Sequence, residues 1–151
     1  MEIYIDGDAC PVKEEVYRDA QVAGLKVTLV TSLSHHSGKA LPENVNVVYV
    51  DEGADSADYR IVALIKPGDM LITQDYGLAS LVLPKGVRVM HHLGYEYTQE
   101  NIGQMLESRY MGAQLRKSGQ RTKGPKKYSG EDREKFQKNF NRIVSELSKN
   151  N

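Results

Sequence analysis

The chain has 151 residues, 40% of them hydrophobic, which is about one domain with enough apolar content for a single real core. Its one cysteine, Cys10, excludes a disulfide framework and a cysteine-rich zinc site and points to a reducing compartment. The formal net charge of +0 conceals an asymmetry: 8 Lys/Arg stand against 16 Asp/Glu through Ser108, and 12 against 4 from Arg109 onward.

In chain order, Glu2–Asp6 reads as a short apolar strand, and Pro11 suits the first position of a helix that runs to Val22 and closes at Gly24. Lys26–Thr31 is β-branched and apolar, a buried strand, and Val45–Val50 is a third. Between them Ser34–Asn44, with Ser, His, Gly and Pro, is a loop. Asp55–Lys66 carries Ile61, Val62, Leu64 and Ile65 at near-helical spacing and stops at Pro67-Gly68. Met70–Thr73 is a fourth strand, Gly77–Leu83 a short helix and Val87–Met90 a fifth strand. Thr98-Gln99-Glu100-Asn101 resembles a capping start for a helix reaching Lys117. Arg116–Lys127 has no apolar residue and reads as a basic loop. Ser129 or Gly130 then opens a last helix whose Phe136, Phe140, Ile143, Val144 and Leu147 form a core-packing stripe.

Strands alternating with helices at this spacing predict an α/β fold: a doubly wound, mainly parallel five-stranded sheet with helices on both faces, plus a C-terminal helical extension. Residues 1–97 would form the α/β body and 98–151 a basic helical extension packed on the same domain. Ligands of such sheets bind beyond the carboxyl ends of the strands, where the winding reverses. If strands one and four are neighbours there, the aspartates following them face one crevice. The N-terminus lacks a basic stretch followed by an apolar one, so no signal peptide is expected. No apolar run nears the roughly 20 residues that span a bilayer. A soluble, cytoplasmic protein without a membrane partner is expected.

Three acidic clusters carry the candidate chemistry. Asp6 and Asp8 flank Gly7, whose lack of a side chain lets the backbone come close to a ligand; the competing reading is an Asx-type turn leading into the first helix. Asp55 and Asp58, three apart, share a helix face, and an acidic pair at a helix start also serves as a cap. Asp75 lies between a strand and a helix, where an N-cap is the competing role. Capping does not require all three clusters to lie along one edge of a sheet. Four or five converging carboxylates are unfavourable without a cation, and an all-oxygen set suits Mg²⁺ or Mn²⁺. His35-His36 and His91-His92 lack the spacing of a two-histidine zinc motif and read as surface or structural residues. Cys10 reads as buried and inert, since Asp6 and Asp8 oppose a thiolate.

Asp6-Gly7-Asp8-Ala9-Cys10-Pro11-Val12, Gly53-Ala54-Asp55-Ser56-Ala57-Asp58-Tyr59 and Ile72-Thr73-Gln74-Asp75-Tyr76-Gly77-Leu78-Ala79 resemble the bacterial YaiI/YqxD family. Asn101-Ile102, Arg109 and Gly124-Pro125 extend the resemblance over nearly the whole chain. Gly7 departs from the alanine expected there, without disturbing either carboxylate. The family has no established activity, and it is similar in plan to PIN-like and NYN-type ribonuclease domains. That resemblance implies a PIN-like body in which Asp6 matches the aspartate after the first strand, Asp55 and Asp58 the acidic residues of a middle helix, and Thr73-Gln74-Asp75 the signature after the fourth strand.

The expected function is therefore a divalent-metal-dependent nuclease acting on RNA. Asp6, Asp8, Asp58 and Asp75 would be catalytic, and Asp6, Asp8, Asp55, Asp58 and Asp75 would ligate Mg²⁺ or Mn²⁺, with Thr73 and Ser56 orienting the ligands. Arg109, Arg116, Lys117, Arg121, Lys123, Lys126 and Lys127 would hold the phosphate backbone. Two alternatives stay open. One is a nucleic-acid-binding module without turnover. The other is a phosphatase, since Asp6-x-Asp8 after an apolar strand resembles the haloacid dehalogenase pair, although Ala9-Cys10 breaks the usual continuation.

Overall fold

The computed structural model describes residues 1–8, 10–32, 40–53, 56–117, 119 and 127–149. Six strands form one sheet: β1 (Glu2–Asp6), β2 (Lys26–Ser32), β3 (Val45–Val50), β4 (Met70–Ile72), β5 (Arg88–Met90) and β6 (Glu96–Tyr97). Five helices accompany them: α1 (Lys13–Val22), α2 (Ser56–Leu64), α3 (Tyr76–Val82), α4 (Gln99–Lys117) and α5 (Gly130–Lys149). The strand order is β3-β2-β1-β4-β5-β6, with all pairings parallel except β5 with β6. The chain winds outward from β1 through β2 to β3, then returns to place β4 on the other side of β1. The winding thus reverses between β1 and β4, which are neighbours as a site beyond their carboxyl ends requires.

Strand alternation divides the core into two layers. Ile3, Ile5, Val27, Leu29, Met70, Ile72 and Met90 point to one face, where Val16, Tyr17 and Ala20 of α1 meet Phe136, Phe140, Ile143 and Val144 of α5. Tyr4, Val30, Leu71 and Val89 point to the other face, covered by Ala57 and Ile61 of α2, Leu78, Ala79 and Val82 of α3, and Ile102 of α4. The stripe on α5 is core, as its spacing indicates: Phe136 and Phe140 are fully buried and stack with centroids 5.4 Å apart. Arg133 ties the start of α5 to α1, donating from Nη1 to the Pro11 carbonyl (2.9 Å) and to Glu15 Oε1 (2.6 Å).

The sheet has six strands rather than the expected five. β6 is two residues long, too short for any alternation to register, and a tight turn sets it beside β5. In that turn His91 N–H donates to the Tyr95 carbonyl and Gly94 N–H to the His91 carbonyl, both at 2.9 Å. Gly94 has φ 103°, and a Cβ there would lie 3.0 Å from the Phe136 backbone nitrogen. Only glycine suits both the conformation and the approach of α5.

Helix boundaries follow from caps. α1 starts at Lys13, two residues after Pro11. Thr98 and Asn101 cap α4 reciprocally: Asn101 N–H donates to Thr98 Oγ1 (3.2 Å), and Thr98 N–H to Asn101 Oδ1 (2.9 Å). Ser129 and Asp132 do the same for α5, settling Ser129 as its cap.

Candidate active site

The register of β1 against β4 pairs Ile3 with Met70, Tyr4 with Leu71 and Ile5 with Ile72. One step further it sets Asp6 beside Thr73, on the sheet face that carries α2, α3 and α4. The Thr73 hydroxyl donates to Asp6 Oδ2 at 2.9 Å. Thr73 Oγ1 in turn accepts the Asp75 N–H at 3.0 Å. Thr73 is itself held by its backbone: its N–H donates to the Met90 carbonyl (3.0 Å), and its carbonyl accepts the Tyr97 hydroxyl (3.2 Å). Thr73 and Tyr97 are both buried, so the support under Asp6 is rigid.

Asp75 caps α3, its Oδ1 accepting the Leu78 N–H at 3.2 Å. The capping role weighed for it from sequence is present, and it fixes the carboxylate at the crevice. Asp8 lies past the end of β1, and its Oδ1 accepts the Thr31 hydroxyl from β2 at 3.2 Å. Gly7 between them serves the fold in a way the sequence did not indicate. Its N–H donates to the Val30 carbonyl at 2.8 Å, and a Cβ there would come within 2.9 Å of that carbonyl oxygen and of Thr31 Cβ. The missing side chain admits the neighbouring strand rather than a ligand, so alanine at this position would move the backbone that carries both carboxylates.

Asp6 is where the electrostatics concentrate. Burial pushes its carboxyl up to about 6; the Thr73 hydroxyl opposes this, while the charges of Asp8 and Asp75 add to it. The charges of Asp8 and Asp75 are thus near enough to act on Asp6 at the carboxyl ends of β1 and β4. Asp58 stands half-buried in the first turn of α2, with Ser56 at the start of that helix. Asp55 lies outside the described residues, as do His35, His36, Arg121, Lys123, Gly124, Pro125 and Lys126. Arg109, Arg116 and Lys117 belong to α4, whose backbone alone is described at those positions, and Lys127 is exposed. Among the described residues, no three His, Cys, Asp or Glu side chains are grouped so as to hold a metal ion. The candidate donors at this sheet edge are carboxylates, which suit a hard cation in kind, and the raised Asp6 carboxyl is the group a cation would return to its charged form.

An aromatic wall borders the carboxylates, and sequence reading did not anticipate it. The Tyr76 ring packs edge-on to Tyr97 (5.6 Å between centroids), and the His91 ring stacks on Tyr95 (4.7 Å, 16°). The Tyr76 and Tyr95 hydroxyls are 3.4 Å apart. Burial first, then neighbouring His92, pushes His91 down to about 4, so it is neutral at pH 7. Its Nδ1 accepts the Leu93 N–H at 2.9 Å, which leaves the proton on Nε2. His91 is thus a structural residue, in keeping with the reading from sequence. The available signal was position: Tyr76 follows Asp75 directly, and His91 follows β5, a strand whose carboxyl end borders the same edge. Cys10 is partly covered, and burial raises its thiol to about 11, which disfavours the thiolate at neutral pH.

No helix among the described residues is long and apolar enough to cross a membrane. No solved structure matches the chain. A family model described as uncharacterised, the YaiI/YqxD family, matches residues 4–146. A UPF0178 protein of Bacillus cereus is 56% identical over 145 residues, covering 96% of this chain and 99% of the relative. UPF0178 proteins of Bacillus mycoides and Bacillus thuringiensis are 56% and 55% identical over 96% and 95% of this chain, and over 99% of each relative. With a family model over nearly its whole length and relatives this close, the chain belongs to the YaiI/YqxD family.

Proposed function

We propose that the chain is a divalent-metal-dependent nuclease acting on RNA, with Asp6 at its centre. The observation that supports this most is the placement of Asp6, Asp8 and Asp75, each held by a hydrogen bond, at and past the carboxyl ends of β1 and β4. The winding reverses there, where doubly wound sheets bind their ligands. The likeness in plan to PIN-like and NYN-type ribonuclease domains supplies the reaction class. Asp6, Asp8 and Asp75, joined by Asp58 and Asp55 from the α2 side, would hold Mg²⁺ or Mn²⁺. Bound there, the ion would lower the pKa of a water and offset charge on the phosphate.

The remaining work falls to the chain. Thr73, clamped by Met90 and Tyr97, fixes the direction of the Asp6 carboxylate. Thr31 does the same for Asp8, and the cap of α3 does it for Asp75. An acidic crevice repels nucleic acid, so a basic element must counter it. The surplus of Lys/Arg from Arg109 onward, with Arg109, Arg116, Lys117, Arg121, Lys123, Lys126 and Lys127 foremost, meets that requirement. The test is cleavage of single-stranded RNA with Mn²⁺, which Asp6→Asn and Asp75→Asn should each abolish. Undiminished cleavage in both variants would refute the proposal. Salt-sensitive RNA binding with no cleavage under any divalent metal would leave a binding module instead.

A further inference from the structure

Two open cavities meet at Tyr76. One, of about 360 Å³, is lined by Gln74, Asp75, Tyr76 and His91 and adjoins the carboxylates. The other, of about 520 Å³, is lined by Tyr76, Asn101, Gln104, Met105 and Ser108. Among the described residues, the second is lined by no charged side chain. Its walls are an aromatic ring and a thioether, and its polar groups are amides and a hydroxyl. The Asn101 amide is spent on the α4 cap and on the Glu96 carbonyl (3.0 Å), which leaves Gln104 and Ser108, both exposed, to meet a ligand.

We propose that this cleft is a nucleobase subsite in which Tyr76 and Met105 seat an unpaired base next to the bond that is cut, so that the substrate is single-stranded. The inference rests on the nuclease reading above and adds to it the subsite that requires an unpaired base. A neutral, flat ligand with donor and acceptor edges matches the described lining, an aromatic ring, a thioether, an amide and a hydroxyl, better than a phosphate does. None of these side chains is a cation, and Asp75 lines the adjoining cavity. Tyr76 is held before any ligand arrives, by its edge-on contact with Tyr97 and its hydroxyl's approach to Tyr95. A ring so fixed stacks on a base with little further loss of freedom. A base within a duplex is paired and stacked on its neighbours, so only an unpaired one can enter. Gln104, Met105 and Ser108 lie on α4, which continues into Arg109, Arg116 and Lys117. At ~1.5 Å per residue, Ser108 and Arg116 are about 12 Å apart along the axis, so a strand seated by its base at Tyr76 runs on towards the basic segment.

The test is fluorescence anisotropy in chelator with a short labelled single-stranded oligoribonucleotide, the same oligomer with one abasic position, and a duplex of the same sequence, followed by cleavage of all three with Mn²⁺. The base-bearing strand should bind about 5- to 100-fold more tightly than the abasic one, the span of one base–aromatic stack. Tyr76→Ala should remove that difference, Tyr76→Phe should keep it, and Gln104→Ala, at an exposed position remote from the core, should narrow it. Equal binding of base-bearing and abasic strands, or a preference untouched by both Tyr76→Ala and Gln104→Ala, overturns the subsite. If that happens while Asp6-dependent cleavage persists, the subsite alone falls. A base preference without cleavage upholds the subsite and refutes turnover. No binding of any RNA overturns both.

Discussion

Asp6→Asn is the substitution whose consequence can be worked furthest from the structure. The folded-state carboxyl is pushed up to about 6 by burial, with Asp8 and Asp75 adding, from an ordinary value of 3.8. Below pH 4 the carboxyl is protonated in both folded and unfolded chains and carries no penalty. Between pH 4 and 6 the folded chain binds more protons than the unfolded one, so stability falls as pH rises, and above pH 6 the whole penalty applies. About two pKa units correspond to an upper figure of about 3 kcal/mol, and the partial exposure of Asp6 reduces this to about 2–3 kcal/mol. Asparagine keeps an oxygen for the Thr73 hydroxyl, 2.9 Å away in the native chain, and removes the charge. In chelator at pH 7 the variant should therefore melt roughly 5–10 °C above the native chain, since 1 kcal/mol shifts a domain of this size by roughly 2–4 °C. The advantage should vanish near pH 4. Adding Mn²⁺ should stabilise only the native chain, closing the gap at a hundredfold excess over Kd (about 2.7 kcal/mol) and reversing the order at a thousandfold excess (about 4.1 kcal/mol). Scanning calorimetry across pH 4–8, with and without Mn²⁺, reads all of this. A variant that melts at or below the native temperature at pH 7 in chelator would refute the electrostatic argument.

Further outcomes follow from the packing. Gly7→Ala forces a Cβ to within 2.9 Å of the Val30 carbonyl and should cost about 1–3 kcal/mol in denaturant unfolding. Tyr97→Phe leaves the Thr73 carbonyl without its buried donor; it should cost about 1–2 kcal/mol, and cleavage should slow as Thr73 loses its hold. Phe140→Ala opens a cavity between α5 and the sheet and should cost about 3–5 kcal/mol, comparable to a loss within the sheet itself, because α5 is part of the core.

Much of this was readable in the residues. A parallel strand buried on both faces is a near-continuous β-branched and apolar run, as β2 is from Val27 to Ser32. The edge strand β3 is legible from its valines, although only Val45 of it is buried. The α5 stripe is legible because Phe136, Phe140, Ile143 and Val144 recur at helical spacing and meet a single surface. β6 was hidden because a two-residue ladder has no period, and its pairing depends on the Gly94 turn pressed against α5. At the site, Asp6, Asp8 and Asp75 could be singled out because each follows a strand, yet their meeting depends on β4 lying beside β1, a fact of strand order. Tyr76, His91, Tyr95 and Tyr97 form a wall only because the β5–β6 turn folds back over the start of α3; in sequence they are four ordinary aromatic positions. The role of Gly7 was misjudged because what it admits is the neighbouring β2 strand, which local sequence does not reveal.

The central claim is that the aspartates at the β1/β4 crevice hold a cation. A crystal soaked in Mn²⁺ and measured at a wavelength where manganese scatters anomalously tests it most directly. The account predicts a peak with carboxylate oxygens of Asp6 and Asp75 among its ligands, at about 2.0–2.6 Å, and its loss in Asp6→Asn. Carboxylates that stay more than about 8 Å apart with no peak between them, or a peak bound elsewhere, would contradict it.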